Sequence, residues 1–280
     1  MIIRRLQYID RFAAMSLWQQ VFADPLSFAA FYFAFRFEPT LSFGAFDGDT
    51  LVSMALGRPF PLQNPDMQGV MISGVCTLPT YRRQGLMTET VSHLLINAEW
   101  KGMDLALLSP AIPDLYRSFG FRPLTYAVKA QETAAGVSNL RKLLPIVNRK
   151  IPQAVYRRYC DSHPFSAVRT PRDFEVSIHE YSVENGFGLN MYDGSGYIYF
   201  LRYPDRVEVA ECFADTPEQY GILLRGAAAF SPNGTAEAML PLDSGLPGRL
   251  IRPVYALPLK ESISIEQFAK LRSTYLFQLC

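Results

Sequence analysis

An excess of charge of one sign is what this chain most plainly lacks. Lys and Arg total 27 against 26 Asp and Glu, a formal net charge of +1. So balanced a chain carries no electrostatic footprint for a nucleic acid or an anionic membrane surface. Cysteine is scarce as well, and Cys76, Cys160, Cys212 and Cys280 are scattered with no Cys-x-x-Cys pairing. That argues against a disulfide framework and against zinc. His93, His163 and His179 stand apart, so no metal ligand set or histidine triad emerges. No uncharged apolar run approaches the ~20 residues needed to span a bilayer. The first ten residues, Met1 to Asp10, lack the long uncharged core of a signal peptide. A cytoplasmic protein without a metal, a membrane or a nucleic-acid partner is the expectation.

Length is not lacking. A chain of 280 residues is long for one compact core and comfortable for two. The most apolar stretch, Phe28 to Phe37, reads as a short helix, either plain core or the wall of a ligand pocket.

The segment from Val75 to Met87 is the most informative. An apolar strand ends at Leu78-Pro79, a cationic loop follows, and Gly85 opens an amphipathic helix. The first-turn N–H groups of a helix have no intrahelical partners, and its dipole places about half a positive charge there. Gly85 allows close backbone approach, while Arg82 and Arg83 add mobile positive charge. Together these make an anion cradle, and the expected guest is a pyrophosphate. The segment is not a P-loop, because no Gly-Lys-Ser/Thr follows, and it lacks the three spaced glycines of a dinucleotide fingerprint.

The flanking elements extend the pattern. Gly74 interrupts the strand Gly69 to Leu78, which hints at a bulge. After Gly85, residues Met87, Val91, Leu94, Leu95 and Ala98 share one helical stripe. A strand at Asp104 to Ser109 follows, then a short helix in Asp114 to Pro123 that ends at Gly120.

Arg82-Arg83-Gln84-Gly85-Leu86-Met87 resembles the acyl-CoA loop of the Gcn5-related N-acetyltransferases (GNAT), Arg/Gln-x-x-Gly-x-Gly/Ala. Met87 departs from it, standing where a small residue is usual, although only its backbone N–H is needed. Leu115-Tyr116-Arg117-Ser118-Phe119-Gly120-Phe121 resembles the same family's Leu-Tyr-x-x-x-Gly-Phe signature. The resemblance implies acetyl-CoA as cosubstrate, with pantetheine bonded to backbone around Val75, Cys76 and Thr77. It implies that Arg82, Arg83, Gln84, Gly85, Leu86, Met87 and Thr88 hold the pyrophosphate, with Ala111 and Ile112 also lining the cofactor. Tyr116 is implied as general acid toward the departing thiolate, since a phenol with pKa ~10 is protonated at neutral pH. Cys76 reads as a small packing residue rather than a nucleophile.

The second half repeats the first in outline. Asp47-Gly48 and Asp193-Gly194 each join two strands, and each hairpin is followed by strand, helix and strand. Arg252-Pro253 then echoes Arg122-Pro123 at the head of a further strand. The expected fold is α/β, two tandem GNAT-like lobes, each a mixed, mostly antiparallel sheet flanked by helices. The boundary is placed at 130, giving 1–130 with the acetyl-CoA site and 131–280 as a degenerate second lobe. Where the first lobe has its basic loop, the second has Ala214-Asp215-Thr216-Pro217-Glu218, which is acidic, lacks glycine and loses a donor to proline. One CoA site per chain is therefore expected.

This tandem resembles the bacterial enhanced-intracellular-survival (Eis) acetyltransferases, best from about Leu41 to Val128. In that family a third, sterol-carrier-like domain supplies a terminal carboxylate as base, and 280 residues are too few for it. The tail from Ser264 begins with a capping-box pattern and carries an apolar stripe, so a docked helix would bring the Cys280 carboxylate to the site. Water-relayed deprotonation is the rival. The resulting reading is direct acetyl transfer to a primary amine, on a small molecule or a lysine side chain. A non-catalytic acyl-CoA sensor or subunit and a longer-chain N-acyltransferase stay open, and the aromatic content leaves room for a homo-oligomer interface.

Overall fold

The computed structural model describes residues 1–63, 67–134, 140–163, 165–261 and 263. Two compact units divide the chain: Met1–Leu124 with a returning segment from Val254, and Thr125–Pro253.

The first unit runs β1 (Ile2–Arg5), α1 (Arg11–Val21), α2 (Leu26–Phe35), β2 (Phe43–Asp47) and β3 (Thr50–Pro61). It continues through β4 (Gln68–Thr77), α3 (Leu86–Trp100), β5 (Leu105–Leu108) and β6 (Arg122–Pro123). The β2–β3 hairpin turns where expected, with Gly48 at φ 58°. Central β3 is buried on both faces, from Leu51 through Leu56, because helices cover both sides of the sheet. On one face Trp18, Tyr32 and Phe33 of α1 and α2 pack against Met54, Leu56 and Cys76. On the other, Val91, Leu94 and Ala98 of α3 pack against Ala55, Val70, Ile72 and Leu108. Met87 and Leu95 flank that α3 stripe, as their spacing predicts.

The second unit comprises β7 (Ala127–Thr133), β8 (Leu143–Pro145), α4 (Lys150–Ser162), α5 (Pro171–Val183) and β9 (Gly186–Met191). It goes on through β10 (Gly196–Arg202), β11 (Val207–Ala214), α6 (Pro217–Ala228), β12 (Thr235–Leu240) and β13 (Arg249–Ile251). A last strand, β14 (Tyr255–Pro258), follows. The sheet orders are β1-β2-β3-β4-β5-β14-β6 and β13-β7-β12-β11-β10-β9-β8. In each, one neighbouring pair is parallel, β4 with β5 and β11 with β12, and a helix makes the crossover. The rest are antiparallel, so both units have the expected mixed α/β sheet.

One expectation needs correcting. The boundary at 130 left the strand that follows each Arg-Pro pair in its own lobe, but the pairing exchanges those two strands while Arg122–Pro123 stays in the first sheet. Strand β7 joins the second sheet, beside β12 and β13. Strand β14 returns to the first, between β5 and β6. The two strands differ in length and composition, AVKAQET against YALP, and the motif they follow is all they have in common. The tail from 264 on, with Cys280, lies outside the described residues. Among the described residues no helix is long and apolar enough to cross a membrane.

Candidate active site

Strand β4 carries the central feature. Met54 faces Cys76 and Leu56 faces Ser73, so Ala55 stands opposite two residues, Gly74 and Val75. That is a bulge, and Gly74 occupies the left-handed region at φ 55°. A Cβ at Gly74 would lie 2.6 Å from the Trp18 ring, so any other residue there would meet both backbone strain and a clash.

Parallel pairing of β4 with β5 covers only Gly69–Ile72 against Leu105–Leu108. Among the described residues, β4 from Ser73 to Thr77 is paired on the β3 side alone. Leu78 N–H donates to the Val52 carbonyl at 2.9 Å. By antiparallel alternation the next pair inward, Ser53 with Thr77, does not exchange hydrogen bonds, so the Thr77 N–H and C=O face the side β5 has left. The Thr77 carbonyl there accepts from Arg82 Nε at 3.2 Å. Behind it the buried Ser53 hydroxyl lies 3.1 Å from the Cys76 carbonyl, to which it donates, and 2.8 Å from Thr77 Oγ1.

The cradle follows. A tight turn at Pro79–Tyr81 leads to exposed Arg82, Arg83 and Gln84 and to the start of α3. Arg83 sits at φ 63° and Gly85 at φ 80°. For a non-glycine residue the left-handed region costs roughly 1 kcal/mol, strain of a kind that clusters at ligand clamps. No side chain caps α3. Its first intrahelical bond runs from Glu89 N–H to the Gly85 carbonyl, so the N–H groups of Leu86, Met87 and Thr88 precede the ladder. Among the described residues, nothing lies within 4 Å of where a Cβ on Gly85 would stand. The Met87 side chain turns into the core below, which explains how a large residue occupies the small-residue position.

Tyr116 lies on a short 3-10 helix, Pro113–Phe119, that Gly120 closes at φ 94°. Its ring meets Phe121 edge-on at 6.0 Å and packs in the same cluster as Val75 and Met87. Burial pushes the phenol up to about 12, and the nearby Cys76 thiol pushes in the same direction. Burial also raises Cys76 to about 12, against the pull of Arg82. Both groups are protonated at neutral pH, and Cys76 has no thiolate to offer as a nucleophile. Ala111 and Ile112 are exposed in the loop leading into the tyrosine helix and do not join its cluster.

The aromatic segment is largely core: Ala29, Tyr32 and Phe33 are buried, while Leu26 and Phe35 are exposed. Tyr32 adds a polar contact, its hydroxyl 2.6 Å from Ser73 Oγ just before the bulge. Trp18, Ser53 and Ser73 were not singled out by sequence. For Trp18 the legible trace is the Ala14, Leu17, Trp18 stripe of α1. For the serines only strand register finds them.

The second unit contrasts with this site as expected. The Thr216 side chain caps α6 at Gln219 N–H, Pro217 removes a donor, and Asp215 is bound by Arg158 at 3.0 and 2.9 Å. Among the described residues no cluster of His, Cys, Asp or Glu has the arrangement of a metal site.

Residues 3–124 match the family described as acetyltransferase (GNAT) domain. The first unit is a GNAT domain. A curated relative, an uncharacterized N-acetyltransferase of Streptomyces avermitilis, is 27% identical over 143 residues, covering 46% of this chain. The match spans only 35% of that relative's length. Among solved structures, a GCN5-related N-acetyltransferase from Kribbella flavida superposes with a TM-score of 0.65 at 16% identity, covering 92% of this chain and 72% of that one. Eis1 from Mycobacterium abscessus superposes with a TM-score of 0.64 at 15% identity, covering 93% and 74%. At such identities the likeness is one of fold, and the chain has the tandem, Eis-like GNAT fold.

Proposed function

We propose that this protein is an acetyl-CoA-dependent N-acetyltransferase that passes the acetyl group directly to a primary amine. The observation that carries the reading is the juxtaposition on one GNAT domain of an uncapped, glycine-opened helix start, a one-sided β4 beyond its bulge, and Tyr116. The pyrophosphate would sit on the N–H groups from Arg83 to Thr88, flanked by Arg82. Pantetheine would lie along β4 from Thr77 to Val75, taking the place of the missing strand neighbour. Ala111 and Ile112 would border it from the tyrosine loop.

The chemistry then divides among few groups. The Thr77 N–H donates to the thioester carbonyl and stabilises the oxyanion as it forms. A neutral amine attacks the carbonyl carbon, the carbon–sulfur bond breaks, and the acyl group stays on nitrogen. Tyr116 donates to the departing sulfur. At about 12 its phenol is a far weaker acid than a thiol near 8.5, so it keeps its proton and stabilises the departing thiolate by a hydrogen bond, and CoA takes its proton from solvent. The ammonium proton leaves through water or through the Cys280 carboxylate. The acceptor is a small-molecule or lysine amine, and a cytoplasmic location fits a CoA thioester substrate.

Calorimetric titration with acetyl-CoA tests the reading, on the wild type and on Gly85→Glu. Saturable binding that the carboxylate abolishes is the expected result. A folded wild type that binds no acetyl-CoA would sink it.

A further inference from the structure

The β4 bulge has a floor, and that floor bears on the acyl group. Trp18 lies beneath Gly74, its ring 2.6 Å from where a Cβ would be, with Leu56 Cδ1 at 2.9 Å from the same point. The indole is fixed on every side the structure records. Its Nε1–H donates to Asp24 at 2.8 Å, and the rings of Phe22 and Tyr32 stand at 4.9 Å. Phe33 meets it edge-on at 5.9 Å and Phe28 lies at 6.1 Å. Trp18 is 6% exposed, and interiors so filled yield little room without moving several rings.

An arm that starts at the α3 cradle and lies along β4 comes to the bulge, since Thr77 to Gly74 spans only about 10 Å of strand. At that point three directions are closed. Trp18 and Leu56 block the way through the bulge. Val91, Phe121 and Tyr116 fill the α3 side. Further along β4 the sheet zips shut where Ile72 pairs with Leu108. The remaining direction is the approach of the amine, which a long tail would obstruct.

We propose that Trp18 is the residue that sets acyl length, restricting the site to short acyl groups of acetyl size. The inference rests on the CoA reading given above and names its donor class. It is a specificity role: Trp18 limits what fits and does not touch the thiolate or the amine.

The test is calorimetric binding of free CoA, acetyl-CoA, butyryl-CoA and octanoyl-CoA to the wild type, Trp18→Ala and Trp18→Phe. The quantity read is the ratio of octanoyl-CoA to acetyl-CoA affinity in each protein. The wild type should favour acetyl-CoA. In Trp18→Ala the ratio should rise about tenfold, as two newly buried methylenes would supply. Trp18→Phe should move it the same way by less. If Trp18→Ala loses its cooperative melt, Trp18→Phe decides alone. A wild type that binds octanoyl-CoA as well as acetyl-CoA overturns the proposal, as does an unchanged ratio in a folded variant. Free CoA separates the two levels: its failure to bind rejects the CoA reading itself, whereas binding without acyl discrimination rejects only the role of Trp18.

Discussion

The Arg169 guanidinium lies 2.5 Å from the Glu211 carboxylate, with the two side chains 2% and 1% exposed. Tyr181 and Tyr197 also donate to Glu211, and Arg169 lies over the Phe174 ring at 3.9 Å. Glu211 follows the irregularity in β11 opposite Tyr199, much as Cys76 follows the β4 bulge. In the second unit a charge pair with tyrosine partners thus occupies the comparable place. Removing one partner would leave the other buried and unpaired. Glu211→Ala should lose about 3–5 kcal/mol in urea unfolding. The double change Arg169→Met with Glu211→Leu should cost clearly less than the two singles summed. An exposed-pair value below about 1 kcal/mol for Glu211→Ala would contradict the burial.

Gly74 and Gly85 both hold positive φ, yet they should respond differently to alanine. At Gly85 the added Cβ meets nothing, so the cost is conformational alone, about 1–2 kcal/mol. At Gly74 the same backbone cost is joined by a clash with Trp18 and Leu56, and about 2–4 kcal/mol is expected. Thermal melts of the two variants check the order. Equal losses would mean that the Trp18 ring gives way easily.

Tyr116→Phe removes only the hydroxyl, so the fold and the ring contacts with Phe119 and Phe121 should persist. Turnover with a competent amine should fall by roughly 10²–10⁴ while acetyl-CoA binding changes little. With the phenol at about 12, its ionisation should cause no loss of wild-type activity below about pH 10. An alkaline limb near neutrality that disappears in Tyr116→Phe would refute the assignment.

His163 offers a pH test in the second unit. Its Nε2 lies 3.2 Å from Asp243, its Nδ1 2.8 Å from the Tyr159 carbonyl, and its ring stacks on Tyr159 at 4.0 Å. The Asp243 hydrogen bond raises the imidazole above its ordinary value against the effect of burial, and His163 in turn holds Asp243 low. A folded pKa above the unfolded one gives stability that is full below about 6.5 and is lost as pH rises through the folded value. The Asp243 contribution works oppositely, present above about 3.9 and lost as pH falls through its depressed folded value. The wild-type advantage in melting temperature over His163→Gln should therefore shrink as pH rises above about 6.5. A constant advantage over that rise would show that stacking, not the charge, matters.

Local chemistry was legible wherever a short stretch carries its own physics. Asp47-Gly48 and Asp193-Gly194 specified hairpins, Gly74 a bulge, Gly85 a helix start, and the Val91, Leu94, Ala98 period a helix face. Each depends on φ preference or periodicity, which a residue brings with it into any fold. The uncapped start of α3 and the short helix that carries Tyr116 belong to the same class, because Gly85 and Gly120 bound them locally. What only the tertiary structure decided concerns partners far apart in the chain. Strand β14 joins β5 in the first sheet while β7 joins β12 in the second, although each follows an Arg-Pro pair, because pairing depends on partners distant in the chain. Ser53 meets Thr77, Trp18 fills the space under Gly74, and Arg169 finds Glu211 across 42 positions for the same reason. Periodicity assigns a residue to a face. Register and close packing, which are properties of the folded whole, choose the neighbour it meets there.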